Sequence, residues 1–413
     1  MDDTIRRALV RAIAAFLVVL VVGGAGVAAL SRLGDDAAPS PTPSATPSPS
    51  ITPEPERATV WLAWVPGGLP DDFGPMVNRL RPVADATTAT ADIAWLVSST
   101  DADGEVIDET TDPYRIPIDT TGVDQSTYAS FLDPSMRAVV QAVEPGEALL
   151  SRTAADLRGL EKGATLTFAA PAGEVALSVA AVVPDEAMGG HELLVTRGTG
   201  EDLGITRERY VVFRVKPGSD ATADVLARQM VPLLPIDAPF PVVEVRAPDD
   251  VSYMRANDRE LPLAALKTRF GEFAAWVDPA VPGVLQIDPA WVQPRIESRD
   301  LPLVGVITCH RKILDQLERA MRALEGGGGA SLVDDAGDCF EPLLRSTDPD
   351  GLITSRDFGA AIDLNRAAND AGEAPDQPDA LVEVMASNGF GWGGGDAWAQ
   401  GSLFRYRRTA KGA

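Results

Sequence analysis

The sequence predicts an α+β protein held at a membrane, with an N-terminal transmembrane helix, a disordered Pro/Ser/Thr linker and two α+β domains behind it. Three observations point there. An uncharged apolar run near the N-terminus gives way to a tract of Pro, Ser and Thr; strand-like runs of alternating residues follow; and the last third mixes helical spacing with short apolar runs. The 413 residues suffice for two folded domains.

Ala12 to Leu30 carries no charge and is just long enough for a spanning helix. Arg6, Arg7 and Arg11 precede it and Asp35 and Asp36 follow, so residues 1–36 read as a cytoplasmic N-terminus and anchor with everything downstream extracytoplasmic. A cleaved signal peptide is the rival reading, because Ala25 to Ala29 offers small residues to a signal peptidase. Residues 37–57, AAPSPTPSATPSPSITPEPER, cannot bury a core and form a spacer reaching on the order of 60 Å. The formal net charge of -24 argues against nucleic acid as a partner, since binding phosphates takes clustered Lys and Arg.

Residues 58–245 form the first domain. Thr59 to Val65 and Ile93 to Val97 open the strand pattern. Val175, Leu177, Val179, Ala181 and Val183 alternate with smaller residues at period two, and Tyr210 to Val215 runs into Pro217-Gly218. Ala221 to Leu234 reads as a helix through Val225, Leu226 and Met230. The order GEALLSRTAADLRGLEKGATLTF, a strand, GGHELLVT, then RYVVFRVKPGSD resembles the extracytoplasmic core domain of MacB-type ABC transporter permeases over roughly Asp133 to Pro235. The resemblance implies an α/β module for protein contacts. His191 lies in this stretch as a lone turn histidine with no chemical role assigned.

Residues 246–413 form the second domain, entered through the charged stretch Arg246 to Glu260, a candidate mobile joint. Ile313, Leu317, Ala320, Met321 and Leu324 fall at helical spacing, and Gly326 to Gly329 ends that helix. Val382, Val384 and Met385 mark a second, stopped at Asn388-Gly389. Only two cysteines occur, Cys309 and Cys339; outside the cytoplasm they are expected to pair, the alternative being two buried thiols.

The segments LPLAALKTRFGEF, LPLVGVITCHRKILDQLERAMRAL, GDCFEPLL, ITSRDFGAAIDLN and VEVMASNGFGWGGGDAW occur in the order seen in VanY-like D-alanyl-D-alanine carboxypeptidases, LAS-type zinc metallopeptidases, which the chain resembles from Leu261 to Tyr406. The resemblance implies a metal motif H-x-x-G-x-A-x-D followed by E/D-x-x-H, giving three zinc ligands and a general base. Aligning Gly359, Ala361 and Asp363 puts Arg356 at the first histidine, Gln400 at the base and Leu403 at the second histidine. Only Asp363 keeps its ligand type. A guanidinium cannot ligate a cation, leucine has no lone pair, and glutamine is no base. A one-residue slip would offer Asp357 as a substitute first ligand. His310, in the CHR stretch, has no ligand role in the family and is assigned a structural one.

No catalytic residue, metal or cofactor is therefore expected, zinc returning only if the chain is an active carboxypeptidase after all. The vestigial or peptide-binding set is Arg356, Asp357, Asp363, Trp392, Gln400 and Leu403. Arg356 either pairs with Asp363 in place of the metal's charge or points to solvent while Asp363 caps a turn. Trp392 to Gly395 is either a cleft wall or a tight loop around a core tryptophan. The expected function is a cell-envelope protein on one membrane helix, binding peptidoglycan stem peptide or a protein partner without cutting it. The alternatives are an active peptidase and a structural or transporter-associated module.

Overall fold

The computed structural model describes residues 60–246, 260–281, 283–345 and 352–407. The anchor, the Pro/Ser/Thr linker and nearly all of the 246–260 joint lie outside the described residues. Among the described residues no helix is long and apolar enough to cross a membrane. Residues Arg57–Ala413 form one compact α+β unit.

A ten-stranded sheet organises the first half, in the order β10-β1-β9-β2-β4-β8-β5-β7-β6, with β3 added on β2. The strands are β1 (Val60–Trp64), β2 (Val83–Thr100), β3 (Val106–Glu109), β4 (Ile116–Val123), β5 (Glu147–Ser151), β6 (Thr165–Ala170), β7 (Gly173–Val183), β8 (Leu193–Thr196), β9 (Glu208–Val215) and β10 (Val242–Arg246). The 18 residues of β2 let its first part pair with β9 and its last part with β6, so β2, β4, β8, β5, β7 and β6 close into a ring. Leu96, Ile118, Leu150, Phe168, Leu177 and Val195 form one of the cores of this half. The period-two run at Val175 to Val183 lies in β7, and Tyr210 to Val215 lies in β9, as the alternation predicts.

Four helices are brief and capped by side chains: α1 (Phe73–Val77) is not, but α2 (Gln125–Tyr128), α3 (Pro134–Gln141), α4 (Arg152–Arg158) and α5 (Arg197–Asp202) start on Asp124, Asp133, Ser151 and Thr196. The helix expected over 221–234 is shorter. Here α6 (Ala223–Met230) is capped by Thr222 and continues only as a 3₁₀ turn over Val231–Leu233, because Pro232 lacks the N–H an α-helix needs.

The second half holds α7 (Leu263–Phe270), β11 (Ala275–Val277), β12 (Leu285–Ile287), α8 (Pro289–Arg295), β13 (Ile296–Leu301), β14 (Gly305–His310), α9 (Arg311–Gly326), β15 (Ala361–Asp363), α10 (Asp379–Ser387), β16 (Phe390–Gly393) and β17 (Gln400–Tyr406). α9 and α10 match the helices read from the spacing. Ile313, Leu317, Ala320, Met321 and Leu324 are all buried, against Phe270, Phe358, Met385 and Phe404. Cys309 and Cys339 are joined in a disulfide closing a separation of 30 residues, a restraint on the unfolded chain of about 3 kcal/mol.

The halves on either side of the 245/246 boundary meet in a buried charge cluster. Lys267 on α7 is 1% exposed and donates to Glu192, beside β8, at 2.9 and 3.0 Å, and to the Pro117 carbonyl of β4. It also lies 3.1 Å from Glu272, which pairs with Arg158 of α4. Burial pushes the Glu192 carboxyl up against the pull of Lys267 and Arg158; at Glu272 burial pushes the same way, but those two cations outweigh it and hold the group down. Arg115 and Ala275 exchange backbone hydrogen bonds across the same seam at 2.8 and 2.7 Å.

The loop just before β15 requires glycine where it passes the end of β14. Gly359 has φ +65°, and a Cβ there would stand 2.8 Å from the His310 backbone nitrogen, which donates to the Gly359 carbonyl. Gly359→Ala is expected to destabilise the protein by about 2 kcal/mol or more, read from the midpoint of urea unfolding.

Candidate functional site

Gln400 begins β17, which lies between β15 and β16 and brings the end of one motif beside the end of the other. The register pairs Asp363 with Leu403, Ile362 with Phe404 and Ala361 with Arg405. The loop before β15 carries Arg356 and is held from outside the three strands. Glu260 accepts from the Ser355 backbone at 2.8 Å and from its hydroxyl, and meets buried Arg405 of β17 at 2.7 Å; Arg405 also binds Asp396 at 2.8 Å.

Arg356 lies over Asp363. Its Nε donates to Oδ2 at 3.0 Å and its Nη2 to Oδ1 at 3.2 Å, a two-point clamp, while Nη1 and Nη2 reach the Gln400 side-chain oxygen at 3.3 and 3.4 Å. Arg366 Nη2 adds a bond to Asp363 Oδ2 at 3.1 Å and Ser402 Oγ one to Oδ1 at 2.7 Å. Four donors thus fill the roughly four acceptor positions of one carboxylate. Burial alone would raise the Asp363 carboxyl, but Arg356, Ser402 and Arg366 outweigh it and hold the group well below the usual carboxylate range. The pairing weighed from sequence is the one present, and Asp363 caps no turn toward solvent.

These residues do not fit zinc. A guanidinium stands where an imidazole is needed, Leu403 offers no donor atom, and the lone pairs of Asp363 are spent on neighbouring N–H and O–H groups. Among the described residues no group of three or more His, Cys, Asp or Glu could hold a metal ion.

Asp357 is no replacement ligand. It is fully buried and accepts from the Leu343 and Thr354 backbone nitrogens at 2.9 and 2.7 Å, which ties the Arg356 loop to the segment before it. Trp392 is the tight-loop reading: its indole donates to the Gly401 carbonyl at 2.7 Å and its ring joins the core. His310 caps α9, its Nδ1 accepting from the Lys312 backbone at 3.1 Å. His191 is buried with Nδ1 3.0 Å from Asp119.

The aromatic wall belongs instead to Trp398, which sequence reasoning missed. Arg356, Asp363, Arg366, Trp398, Gln400 and Ser402 line a cleft of about 630 Å³, together with Glu341, Arg345 and Asp370. Trp398 packs against a core cluster of the first half, and Gly372, at φ +86°, leaves room for its ring, which a Cβ would approach to 2.4 Å. Arg366 and Ser402 were visible only as near neighbours of Asp363 and Gln400. Arg345 and Arg366 both bind Glu341, at 3.0 and 3.3 Å, so the cleft floor runs Arg345–Glu341–Arg366–Asp363–Arg356–Gln400.

Burial, with Lys312 nearby, pushes His310 down to about 4. Below its ordinary value of 6.5 the unfolded chain takes up a proton that the folded chain refuses until about pH 4. The contribution is therefore full above pH 6.5 and is lost as pH falls toward 4, at most about 3 kcal/mol. His310→Asn, which keeps a capping side chain, is expected to flatten that part of the melting temperature against pH.

No family model matches the chain, and no curated protein matches it. Several solved structures are similar to part of it, among them the following two. The periplasmic region of MacB from Actinobacillus actinomycetemcomitans is 12% identical, with 47% of this chain and 91% of that chain covered and a TM-score of 0.31. The extracellular domain of the noncanonic ABC-type transporter YknZ from Gram-positive bacteria is 11% identical, with 46% and 99% covered and a TM-score of 0.29.

Proposed function

We propose that this chain is a membrane-tethered, extracytoplasmic envelope protein whose C-terminal half binds a peptide, from the peptidoglycan stem or a protein partner, without hydrolysing it. The observation that carries the reading is the Arg356 guanidinium clamped on Asp363 with Gln400 at its other edge. Arg356, Asp363 and Gln400, three of the positions that the carboxypeptidase resemblance assigns to ligands and base, meet through Arg356, and their chemistry there is a fixed ion pair. What is left is a cleft with an aromatic wall, and Arg366 keeps Nε and Nη1 without a protein partner among the described residues. Those donors suit an acceptor-rich ligand.

Calorimetric titration of the full chain with a muropeptide carrying a free C-terminus tests this. Saturable binding with the peptide recovered uncut, weakened at least tenfold by Arg366→Gln or Trp398→Ala, is expected. Release of alanine, or no binding to muropeptide or partner peptides, sinks it.

A second reading, an interaction module in which the ten-stranded sheet makes the contact, is favoured by a separate observation. Among the described residues, half of the ten exposed large hydrophobic side chains, Val225, Val231, Ile236, Phe240 and Val245, fall in one stretch of that half. Loss of association on Ile236→Asp with Phe240→Asp would separate it from the first.

A further inference from the structure

We infer that the seam between the two halves contains a binding site for one ordered water molecule, held by His191 Nε2. Nδ1 of His191 lies 3.0 Å from a carboxylate oxygen of Asp119 on β4, and the histidine side chain is 2% exposed. A carboxylate can only accept, so in the neutral ring Nδ1 carries the proton and Nε2 keeps its lone pair. Nε2 is buried and has no protein hydrogen-bond partner. A buried acceptor of this kind calls for a donor, because leaving it without one costs as much as a lost hydrogen bond.

Size and chemistry select the ligand. The ring lines a cavity of about 20 Å³, which gives room for one water and too little for a side chain or a substrate. The Asp119–His191 pair is therefore not the general base of a hydrolytic site, since no substrate fits beside it. Asp92, Arg209 and Tyr210 complete the polar lining. A water can donate to Nε2 and to a carboxylate while accepting from a guanidinium, whereas a cation would sit against Arg209. Burial raises the Asp92 carboxyl above its ordinary value, as it does for a carboxylate short of solvating partners.

The polar lining comes entirely from the first half, and the second half contributes only Leu263, Leu352 and Ile353. The water is bound by the sheet and closed in by the apolar segment that leads, three residues after Ile353, into Arg356. A site built this way is completed only when the two halves are packed together.

The test uses the scarcity of histidine. His310 is the chain's only other histidine, so full-length protein in detergent micelles, carrying isotope-labelled histidine, presents two rings to NMR, and His310→Asn assigns the one that remains. At alkaline pH His191 is expected to be protonated at Nδ1 alone, with the Nε2 resonance displaced from that of a bare ring nitrogen to that of a hydrogen-bond acceptor, and with magnetisation transfer from water to the ring. Ile353→Ala, which opens the apolar wall and removes no polar group, is expected to speed exchange of the Nδ1 proton by about fivefold or more with the tautomer unchanged. A proton on Nε2, or a bare Nε2 with no transfer from water, overturns the inference. An Nε2 resonance that moves with sodium or chloride concentration puts an ion in the cavity and overturns the water. Exchange indifferent to Ile353→Ala overturns closure of the site by the second half.

Discussion

Lys267→Met is expected to lower the unfolding free energy by about 3–5 kcal/mol, the range for breaking a buried ion pair from one side. The lysine and Glu192 are each 1% exposed, so the methionine leaves a carboxylate enclosed with its nearest cation removed. Arg158 remains nearby but is already bound to Glu272. Replacing both partners, Lys267→Met with Glu192→Leu, is expected to recover much of the loss, since two apolar side chains of similar volume need no compensating charge. Equilibrium urea unfolding followed by tryptophan fluorescence measures both. A loss under 1 kcal/mol for the single variant would show that water reaches the pair. The cluster spans β4, the turn before β8, α4 and α7, so its failure should also weaken the seam that joins the two halves.

The second large effect concerns metal. Converting Arg356 and Leu403 to His and Gln400 to Glu is expected to create stoichiometric zinc binding that the unsubstituted chain is expected to lack. Asp363 lies within hydrogen-bond distance of Arg356 and opposite Leu403 in the strand register, and Gln400 already touches the Arg356 guanidinium. The triple variant would supply two imidazoles, freed carboxylate lone pairs and a base beside them, the set a catalytic zinc uses. A dissociation constant of about 1 µM or tighter is expected, corresponding to about 8 kcal/mol. Metal content after dialysis, and a zinc-dependent rise in melting temperature, read the outcome. Arg356→His alone is expected to destabilise without binding metal, because Asp363 loses its two-point partner. A triple variant that folds and binds no zinc would mean that these positions do not descend from a metal site.

Much of the site was legible because its evidence is local. Arg356, Gly359, Ala361 and Asp363 lie within eight residues, so their spacing survives in the sequence, and the chemical unfitness of arginine, leucine and glutamine for zinc needs no coordinates. Trp398, Arg366 and Ser402 were not legible. Trp398 enters the cleft because Gly372 leaves it room and a core cluster from the first half holds it, and neither fact is encoded near position 398. Trp392 looked like the wall because it sits in the glycine-rich run, yet its indole is turned to the Gly401 carbonyl and its ring to the core.

The α+β class, the strands and helices whose apolar period is unbroken, and the unfitness of arginine, glutamine and leucine as zinc ligands or base at positions 356, 400 and 403 were written in the sequence alone, since each depends on residue type and short spacing. Only the tertiary structure decided that Arg356 pairs with Asp363 and does not face solvent, that Asp357 is spent on backbone nitrogens, and that the two halves share a buried charge cluster. Those outcomes depend on which carboxylate stands within about 3 Å of which cation. Distances across strands and between residues such as Lys267 and Glu192, 75 positions apart, are set by packing, which no local pattern records.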